Sequence, residues 1–244
     1  MIRKIEELSM NAWPSLSTDL YDGWVLRASN GYTKRANSIN LLYPSVLKLE
    51  DKINYCKSYY ESLNLPIVYK ITDMIELRPL DLKLQELAYQ KIDETSVRLL
   101  DLESYRESRN DIVEIAYTFS QDWYEGYTKT ANINSQKDKS TLKSMLKKIK
   151  GKVIYVTYKL DNQTLAFGFG VLDQGYVGLF DIFVEKSSRG NGYSKVIMHA
   201  IISEAIKQGA RKAYLQVVIG NVAGENLYNK LGFNEIYRYW YRRL

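Results

Sequence analysis

The second half of the chain alternates apolar runs with segments of helical period. Apolar runs at 177–184 and 213–219 flank a segment of helical period that ends at Gly209. A polar loop, 185–194, follows the first run, and the segment 221–233 follows the second. Short apolar runs bounded by turn residues are typical of buried strands. The pattern therefore predicts the order strand, loop, helix, strand and helix.

The stretch between residues 96 and 176 predicts further helices and strands. The apolar residues Ile112, Ile115, Ala116 and Phe119 recur at helical spacing and predict a helix over 111–124. A second helix is predicted over 140–150, capped by Ser140 and stopped at Gly151. Runs at 153–160 and 165–172, joined by the turn Asp161-Asn162, predict a hairpin. From residue 89 onward the predicted order is β-α-α-β-β-β-α-β-α-β-β.

The first hundred residues show a similar order of elements. Strands are predicted at 23–28, 32–42 and 66–71, with a hairpin turn at Asn30-Gly31, helices at 49–63 and 80–88, and extended structure from 89 to 102. This repeats the order of the last part of the chain and indicates an internal duplication of architecture. The alternative is an unrelated α+β cap. We predict domains at 1–95 and 96–244.

The loop between the predicted strand 177–184 and the following helix carries a candidate anion site. It reads Arg189-Gly190-Asn191-Gly192-Tyr193-Ser194. The two glycines permit positive φ and a close backbone approach, because they lack a Cβ. Backbone N–H groups at a helix N-terminus attract anions, and Arg189 adds a full charge. The loop lacks a Gly-Lys-Ser/Thr ending and a Gly-x-Gly-x-x-Gly run, so the P-loop and Rossmann classes are disfavoured.

The loop and the segment 221–233 together resemble the GNAT superfamily of N-acetyltransferases. The family signature for the coenzyme A pyrophosphate is Gln/Arg-x-x-Gly-x-Gly/Ala, and Arg189, Gly192 and Ser194 occupy its three positions, with serine as a small departure. The downstream pattern Asn-x-x-Ala-x-x-Leu-Tyr-x-x-Leu-Gly-Phe is matched at Asn221, Leu227, Tyr228, Leu231, Gly232 and Phe233, with Gly224 in the alanine place. The resemblance covers roughly residues 96–244.

The resemblance implies an α/β fold with a mixed sheet, the GNAT acyl-CoA N-acyltransferase fold. Together with the apparent duplication it implies a tandem of a degenerate and an intact GNAT-like half. The predicted first half has no glycine in 42–49 and has Pro44 there, so we expect it to bind no coenzyme. In the intact half, acetyl-CoA is the implied co-substrate. Its pyrophosphate is expected at Arg189, Gly190, Asn191, Gly192, Tyr193, Ser194 and Lys195.

Further coenzyme contacts and a general acid also follow from the resemblance. The main chain of Phe183 and Val184 is expected to pair with the pantetheine arm. Asn221 and Asn226 are expected to contact the coenzyme or to order a water near Tyr228. Tyr228 holds the place of the family tyrosine that protonates the departing thiolate. The alternative for Tyr228 is a core aromatic residue of an amphipathic helix.

A general base is needed because a primary amine is mostly protonated at neutral pH. Asp181 is the candidate, since strand alternation places it on the face of Leu179 and Phe183. The alternatives are a carboxylate satisfied by backbone donors or an arginine, and deprotonation through water and main-chain carbonyls. His199 lies in the helix after the loop, with no nucleophile beside it in a recognisable setting. A packing or surface role is expected for it.

The acceptor site is the least defined part of the prediction. The segment 121–127 is expected between the first two helices of the second half, where GNAT enzymes line the acceptor site. Its aromatic residues Trp123, Tyr124 and Tyr127 are predicted to wall an apolar or cationic pocket, or else to lie in the core. The acceptor is left open between a small amine, an amino acid, an antibiotic and a protein N-terminus.

Composition narrows the class of protein. The 244 residues carry a net charge of +6, which suits coenzyme phosphates as well as nucleic acid, yet no zinc or RNA-binding signature accompanies it. One cysteine, Cys56, and one histidine make a metal site implausible. We expect a cytoplasmic enzyme, monomeric or homodimeric, without a membrane or nucleic-acid partner, acting on a small-molecule or peptide amine. The alternative function is a non-catalytic acyl-CoA-binding regulatory module.

Overall fold

Helices and strands are interspersed along the chain and form a mixed α/β fold. The computed structural model describes residues 1–106, 113–161 and 163–244. Within them the helices are α1 Ile2–Ala12, α2 Leu49–Ser62, α3 Arg78–Glu86, α4 Gln121–Thr130, α5 Gln136–Lys147, α6 Tyr193–Lys207 and α7 Val222–Lys230. The strands are β1 Ser17–Tyr21, β2 Trp24–Ala28, β3 Ile39–Leu41, β4 Val68–Thr72, β5 Gln90–Asp101, β6 Val113–Ala116, β7 Lys152–Leu160, β8 Gln163–Asp173, β9 Tyr176–Val184, β10 Lys212–Val218 and β11 Asn234–Arg243. Each helix in these ranges is too short or too polar to cross a membrane.

The chain divides into two compact units, each formed by segments that are not contiguous in sequence. Unit 1 contains Met1–Arg98, Gln216–Asn226 and Glu235–Leu244, whereas unit 2 contains Leu99–Leu215 and Leu227–Asn234. The end of the first segment at Arg98 lies close to the expected boundary after residue 95. The predicted domain 96–244 differs from unit 2, because residues 216–226 and 235–244 pack with unit 1. As a functional division, 1–95 and 96–244 stay a prediction.

Unit 1 is built on a sheet with the strand order β1-β2-β3-β4-β11-β5. Strands β3 and β4 are parallel, and α2 makes the crossover between them. The pairs β1–β2, β2–β3 and β4–β11 are antiparallel. Apolar side chains of the sheet, α2 and α3 form one core, with Leu26, Cys56 and Tyr60 among its buried members. Cys56 is therefore a buried packing residue of unit 1.

Unit 2 has the strand order β10-β9-β8-β7-β6. Strands β9 and β10 are parallel, and α6 connects them. The remaining pairs are antiparallel. Helix α6 packs closely on the sheet because β8 has glycines beneath it: a Cβ added to Gly170 would lie 2.3 Å from Ile201 Cγ2. The loop after β9 is thereby held at the start of α6.

The predicted helix over 111–124 is wrong in its position. Residues 111 and 112 lie outside the described residues, Val113–Ala116 form strand β6, and the helix starts only at Gln121. Ile115 and Ala116 fit a helical spacing, but the short segment Val-Glu-Ile-Ala also alternates. Pairing of β6 with β7 decides the outcome, because a tertiary ladder outweighs weak local preference.

Other boundaries differ from the prediction for local reasons. Helix α5 begins at Gln136 with Ser135 as its cap, whereas the predicted cap, Ser140, lies inside the helix. The first turn of α5 is polar, so no apolar periodicity in the sequence indicated it. The expected strand 32–42 is reduced to β3, since residues 34–36 form a 3₁₀ turn. A single long strand, β11, replaces the two expected at the end. Helix α1 and strand β1 were not predicted.

A buried ion pair joins α1 to the sheet of unit 1. Glu6 is 0% exposed, and its carboxylate accepts hydrogen bonds from Lys70 Nζ on β4 and from the Tyr237 hydroxyl on β11, the latter at 2.6 Å. The ammonium group of Lys70 also lies 3.9 Å from the centre of the Tyr239 ring. These contacts satisfy both charges in the interior, where an unpaired charge would be costly.

Replacing Lys70 by methionine should therefore destabilise the protein by roughly 3–5 kcal/mol, because the buried Glu6 carboxyl group loses its cationic partner. The matched control is Lys83→Met, which breaks the surface pair of Lys83 with Glu86 and should cost less than about 1 kcal/mol. Urea unfolding followed by circular dichroism measures both values. Equal losses in the two variants would contradict the assigned role of the buried pair.

Candidate active site

The site begins where two parallel strands separate. Pairing between β9 and β10 runs from Tyr176–Lys212 to Gly178–Tyr214. Strand β9 continues to Val184, and over this last part the described pairing is with β8. The backbone of β9 beyond Gly178 therefore presents an edge on the side that β10 has left. Such an edge can accept an extended chain by strand-like pairing.

A β-bulge at Asp181 lies within this part of β9. Phe180 pairs with Phe169 and Phe183 with Phe167, so two residues of β9 stand opposite Gly168 alone. Asp181 adopts a φ of 46°, a left-handed conformation in which aspartate is enriched among residues other than glycine. The extra residue bends the strand and increases its local twist.

The bulge corrects the predicted strand alternation. Leu179 pairs with Gly170, which faces α6, whereas Phe183 pairs with Phe167, which lies against Gly126 of α4. Leu179 and Phe183 therefore face opposite sides of the sheet, and the expectation that Asp181 shares a face with both is wrong. The sequence contains no glycine or proline at this point that would have indicated the extra residue.

The Asp181 carboxylate accepts a hydrogen bond from the Tyr127 hydroxyl of α4. The Tyr127 ring is 1% exposed and also packs edge-on against Phe183 at 5.6 Å. Asp181 itself is partly exposed. The carboxylate is thus oriented from the interior by a tyrosine, a partner that sequence analysis did not identify.

The main chain of Val184 points to the open side of β9. The amide of Glu185 donates to the Leu165 carbonyl of β8 at 2.8 Å. Because consecutive backbone groups of a strand point to opposite sides, the Val184 amide points away from β8. The Val184 carbonyl accepts a bond from Arg189 Nε at 3.4 Å. By the same alternation the Phe183 amide faces β8. Of these two residues, Val184 is therefore the one whose amide points to the open side of β9.

The glycine loop has the backbone geometry that its sequence predicts. Gly190 and Gly192 have φ values of 87° and 82°, and α6 begins directly after Gly192. The Gly192 carbonyl accepts bonds from the amides of Lys195 and Val196 at 2.9 and 3.2 Å. The first amides of a helix have no intrahelical acceptor, so this end of α6 offers donors to an anion.

The space over the loop is open. A Cβ built on Gly190 or Gly192 would meet no atom within 4 Å. Arg189 and Lys195 are exposed, and Tyr193 stacks on Tyr158 of β7 with ring centres 4.5 Å apart. Asn191 Nδ2 donates to the Ser188 carbonyl and braces the turn. Ser194 is partly exposed. The loop residues thus form a positively charged cradle with accessible backbone.

Helix α7 carries the second motif. The Asn221 side-chain oxygen accepts the Gly224 amide at 3.1 Å, and Glu225 accepts the Gly220 amide at 3.0 Å, so Asn221 caps the helix. A Cβ on Gly224 would lie 2.9 Å from Asn221 Nδ2, so an alanine at this position would require the Asn221 side chain to shift. Asn226 is exposed. The roles of both asparagines towards the coenzyme stay predictions.

Tyr228 lies on the same helix and is half-buried. Its ring packs edge-on against Phe233 with centres 6.3 Å apart, and its carbonyl accepts the Phe233 amide at 3.0 Å. The Leu-Gly-Phe part of the motif therefore folds back on the helix and fixes the direction of the tyrosine. Its role as general acid stays a prediction.

The three aromatic residues expected at the acceptor site are buried. The segment 121–127 forms the first part of α4 itself, not a connection between helices. Trp123 stacks on Tyr127, with ring centres 5.0 Å apart, and also packs against Tyr155. Tyr124 also lines a cavity of about 630 Å³ between α4 and α5. Trp123 and Tyr127 pack in the core, which is the alternative given for them from the sequence. A role of the three aromatic residues in substrate binding stays a prediction.

His199 packs against Tyr105, which lies within the packing or surface role expected of it. Its Nδ1 shares a hydrogen bond with the Tyr105 hydroxyl. Burial, and then the nearby Lys195 charge, lower the pKa of His199 below its ordinary value, so the neutral imidazole is favoured. Among the described residues, no group of three or more histidine, cysteine, aspartate and glutamate side chains is arranged to hold a metal ion.

Known proteins share the family and the fold of this chain. The family model described as probable histone acetyltransferase Rv0428c C-terminal matches residues 1–242. The uncharacterized N-acetyltransferase YobR of Bacillus subtilis (strain 168) is 29% identical over 246 residues, which cover 99% of this chain and 98% of that protein.

Solved structures show the same fold at low identity. A GCN5-related N-acetyltransferase from Kribbella flavida superposes with a TM-score of 0.70 at 12% identity, covering 99% of this chain and 94% of its own. A tandem GNAT protein from the clavulanic acid biosynthesis pathway gives a TM-score of 0.69 at 9% identity, covering 98% of this chain and 87% of its own.

The fold and these relatives define a GNAT-type N-acetyltransferase, which confirms the predicted fold class and enzyme class. Within that class, the chain belongs to the family described as probable histone acetyltransferase Rv0428c C-terminal, whose model spans nearly its whole length.

Replacing Gly192 by valine should weaken acetyl-CoA binding by at least about tenfold. The β-branched side chain disfavours positive φ, turns the loop amides and fills the open space above them. Gly209→Val is the matched control: Gly209 also has positive φ and an open Cβ position, but at the other end of α6. Calorimetric titration with acetyl-CoA gives both dissociation constants. An unchanged value for Gly192→Val would refute the site assignment.

Proposed function

We propose that this enzyme transfers the acetyl group of acetyl-CoA to a primary amine by direct attack within a ternary complex. One observation carries the proposal: the free edge of β9 beyond Gly178 leads directly into the glycine loop and the N-terminus of α6. An extended thioester arm and a pyrophosphate need these two features side by side.

The coenzyme is held by backbone and charge. The pyrophosphate receives hydrogen bonds from the amides of the loop and of the first turn of α6, at Gly190, Asn191, Gly192, Tyr193 and Ser194. Arg189 and Lys195 add positive charge beside it. The pantetheine arm lies along β9 and pairs with Val184, whose amide points away from β8. We assign this pairing to Val184 in preference to Phe183, because the Phe183 amide faces β8.

The hydrogen bond from the Val184 amide to the arm is made at the thioester carbonyl, which it polarises. A donor aimed at the developing oxyanion stabilises the tetrahedral intermediate more than the ground state. The nitrogen of the neutral amine attacks the acetyl carbon, and a C–N bond forms. When the intermediate collapses, the C–S bond breaks and its electron pair leaves on sulfur.

Two protons move in this reaction. As the C–N bond forms, the attacking nitrogen gives one proton to Asp181, directly or through a water molecule, and Asp181 then releases this proton to solvent. Tyr127 fixes the direction of the carboxylate by its hydrogen bond to Asp181. The thiolate takes the other proton from the Tyr228 hydroxyl, and the phenolate is then reprotonated from solvent. The products are an acetamide and free coenzyme A.

An amine panel tests the proposed reaction. Acetyl-CoA is incubated with the full chain and with small amines, amino acids, aminoglycosides and peptides, and release of free thiol is followed. We expect amine-dependent release with at least one class and a matching acetylated product by mass spectrometry. Tight binding of acetyl-CoA without amine-dependent thiol release across the panel would instead support a coenzyme-binding regulatory module.

The Tyr228→Phe variant tests the general acid. It keeps the ring and its packing on Phe233 but loses the hydroxyl. Turnover should fall by roughly 10²–10⁴-fold, the usual contribution of a positioned proton donor, with little change in acetyl-CoA affinity. Tyr176→Phe, at the far end of β9, is the control and should keep full turnover. A fully active Tyr228→Phe variant would leave proton delivery to water.

A further inference from the structure

Unit 1 repeats the crossover that builds the proposed coenzyme site in unit 2. Strands β3 and β4 are parallel, with α2 between them, as β9 and β10 are with α6. The loop 42–48 stands where the glycine loop 185–192 stands in unit 2. The segment 73–77 after β4 and helix α3 occupy the places of the segment after β10 and helix α7.

The loop 42–48 directs its donors to a carboxylate of the chain itself. Asp22 accepts hydrogen bonds from the amides of Val46 and Leu47, at 3.1 and 3.0 Å, and from the Ser45 hydroxyl at 2.6 Å. These bonds, that from Ser45 foremost, hold the pKa of Asp22 well below its usual range. An internal anion therefore fills the position that an external one takes in a coenzyme-binding loop.

The nearest cation is also neutralised within the chain. Lys52 of α2 is 1% exposed, and its Nζ lies 3.0 Å from the Asp22 carboxylate and 4.1 Å from the centre of the Trp24 ring. Burial lowers the pKa of Lys52, and the contact with Asp22 opposes that effect. The pair leaves no net charge for a ligand to meet.

An apolar cavity lies beside this pair. It has a volume of about 480 Å³ and lies between the end of β3, the start of α2 and the segment after β4. Most of its wall is apolar, including Trp24, Leu41, Leu49, Met74, Leu77 and Leu80. The volume is within the range of about 300–1,000 Å³ typical of small-molecule sites.

Two large exposed apolar residues flank the cavity, and Glu76 is the acidic residue of its wall. Val46 and Ile75 are 91% and 81% exposed, and each adjoins residues that line the cavity from opposite sides. Exposed large apolar residues grouped at a cavity are typical of binding surfaces. Arg3 in the wall is engaged, since its Nε donates to the Leu42 carbonyl at 2.7 Å and its guanidinium lies over the Tyr43 ring.

We propose that this cavity of unit 1 binds an uncharged, predominantly apolar small molecule and rejects anions, coenzyme A included. The internal Asp22–Lys52 pair removes the charge that an anion would need, and the largely apolar wall and the flanking apolar residues supply the binding surface. The proposal concerns a site separate from the transferase reaction and does not depend on it.

A pair of probes with one ring system tests the charge preference. N-phenyl-1-naphthylamine is neutral, and 1-anilinonaphthalene-8-sulfonate carries the same rings with a sulfonate. Each is titrated by fluorescence against the full chain in saturating coenzyme A, which keeps the probe off the β9 groove. We expect the neutral probe to bind at least about tenfold more tightly, a difference that about 1.4 kcal/mol produces. Equal affinities would overturn the proposal.

Two variants place the binding in the cavity. Met74→Trp fills it and should weaken the neutral probe by at least about tenfold. Leu82→Trp, an exposed position of α3 outside the wall, is the control and should bind as the parent does. Circular dichroism confirms that both fold. An unchanged affinity in a folded Met74→Trp variant would show that the probe binds outside the cavity and would refute the proposed site.

Asp22→Asn gives an independent readout that does not depend on filling the cavity. It keeps the shape of the side chain but leaves Lys52 and the loop amides without their anion. The preference for the neutral probe should then shrink by at least about tenfold in favour of the sulfonate. A preference unchanged from the parent would show that the internal carboxylate does not set the charge selectivity.

Discussion

The bulge at Asp181 is the constraint on which the proposed transferase site depends. One extra residue on β9 interrupts the regular alternation of its side chains between the two faces of the sheet. This residue lies beyond the point where the pairing of β9 with β10 ends. It places Asp181 in contact with Tyr127 and leaves the Val184 amide on the open side. The bulge stands opposite Gly168, where a Cβ would lie 2.6 Å from both Ile182 and Ile197. A side chain at Gly168 would therefore disturb both the bulge and the packing of α6 on the sheet.

The two parallel crossovers, β3-α2-β4 and β9-α6-β10, have the same backbone arrangement but differ in what their loops bind. In unit 2, positive-φ glycines leave the helix start open, and in the proposed site the anion comes from outside. In unit 1, the same position carries Ser45, Val46 and Leu47, and their donors are taken by Asp22 from the β1–β2 turn. The difference lies in one acidic residue at a turn and in the absence of glycine, not in the order of elements.

Local sequence predicted the parts of the site that depend on local chemistry. The glycine loop, β9, β10 and the two GNAT motifs are found where their residue patterns place them, because turn residues and apolar runs act over a few positions. The bulge could not be predicted, since Asp181 takes a left-handed conformation without glycine. The Tyr127–Asp181 and Asp22–loop contacts join residues far apart in sequence and depend on packing. Strand β6 was missed because four residues carry too little periodicity to distinguish strand from helix.

The position of β11 has a consequence for the order in which the chain can fold during synthesis. In unit 1 this last strand lies between β4 and β5, and it carries Tyr237, which donates to the buried Glu6. A nascent chain that has released only residues 1–98 therefore has β4 without one of its neighbours and the Glu6 carboxylate without one of its donors. The sheet of unit 1 is therefore complete only after residues 235–244 have been translated, and unit 2 is translated before them.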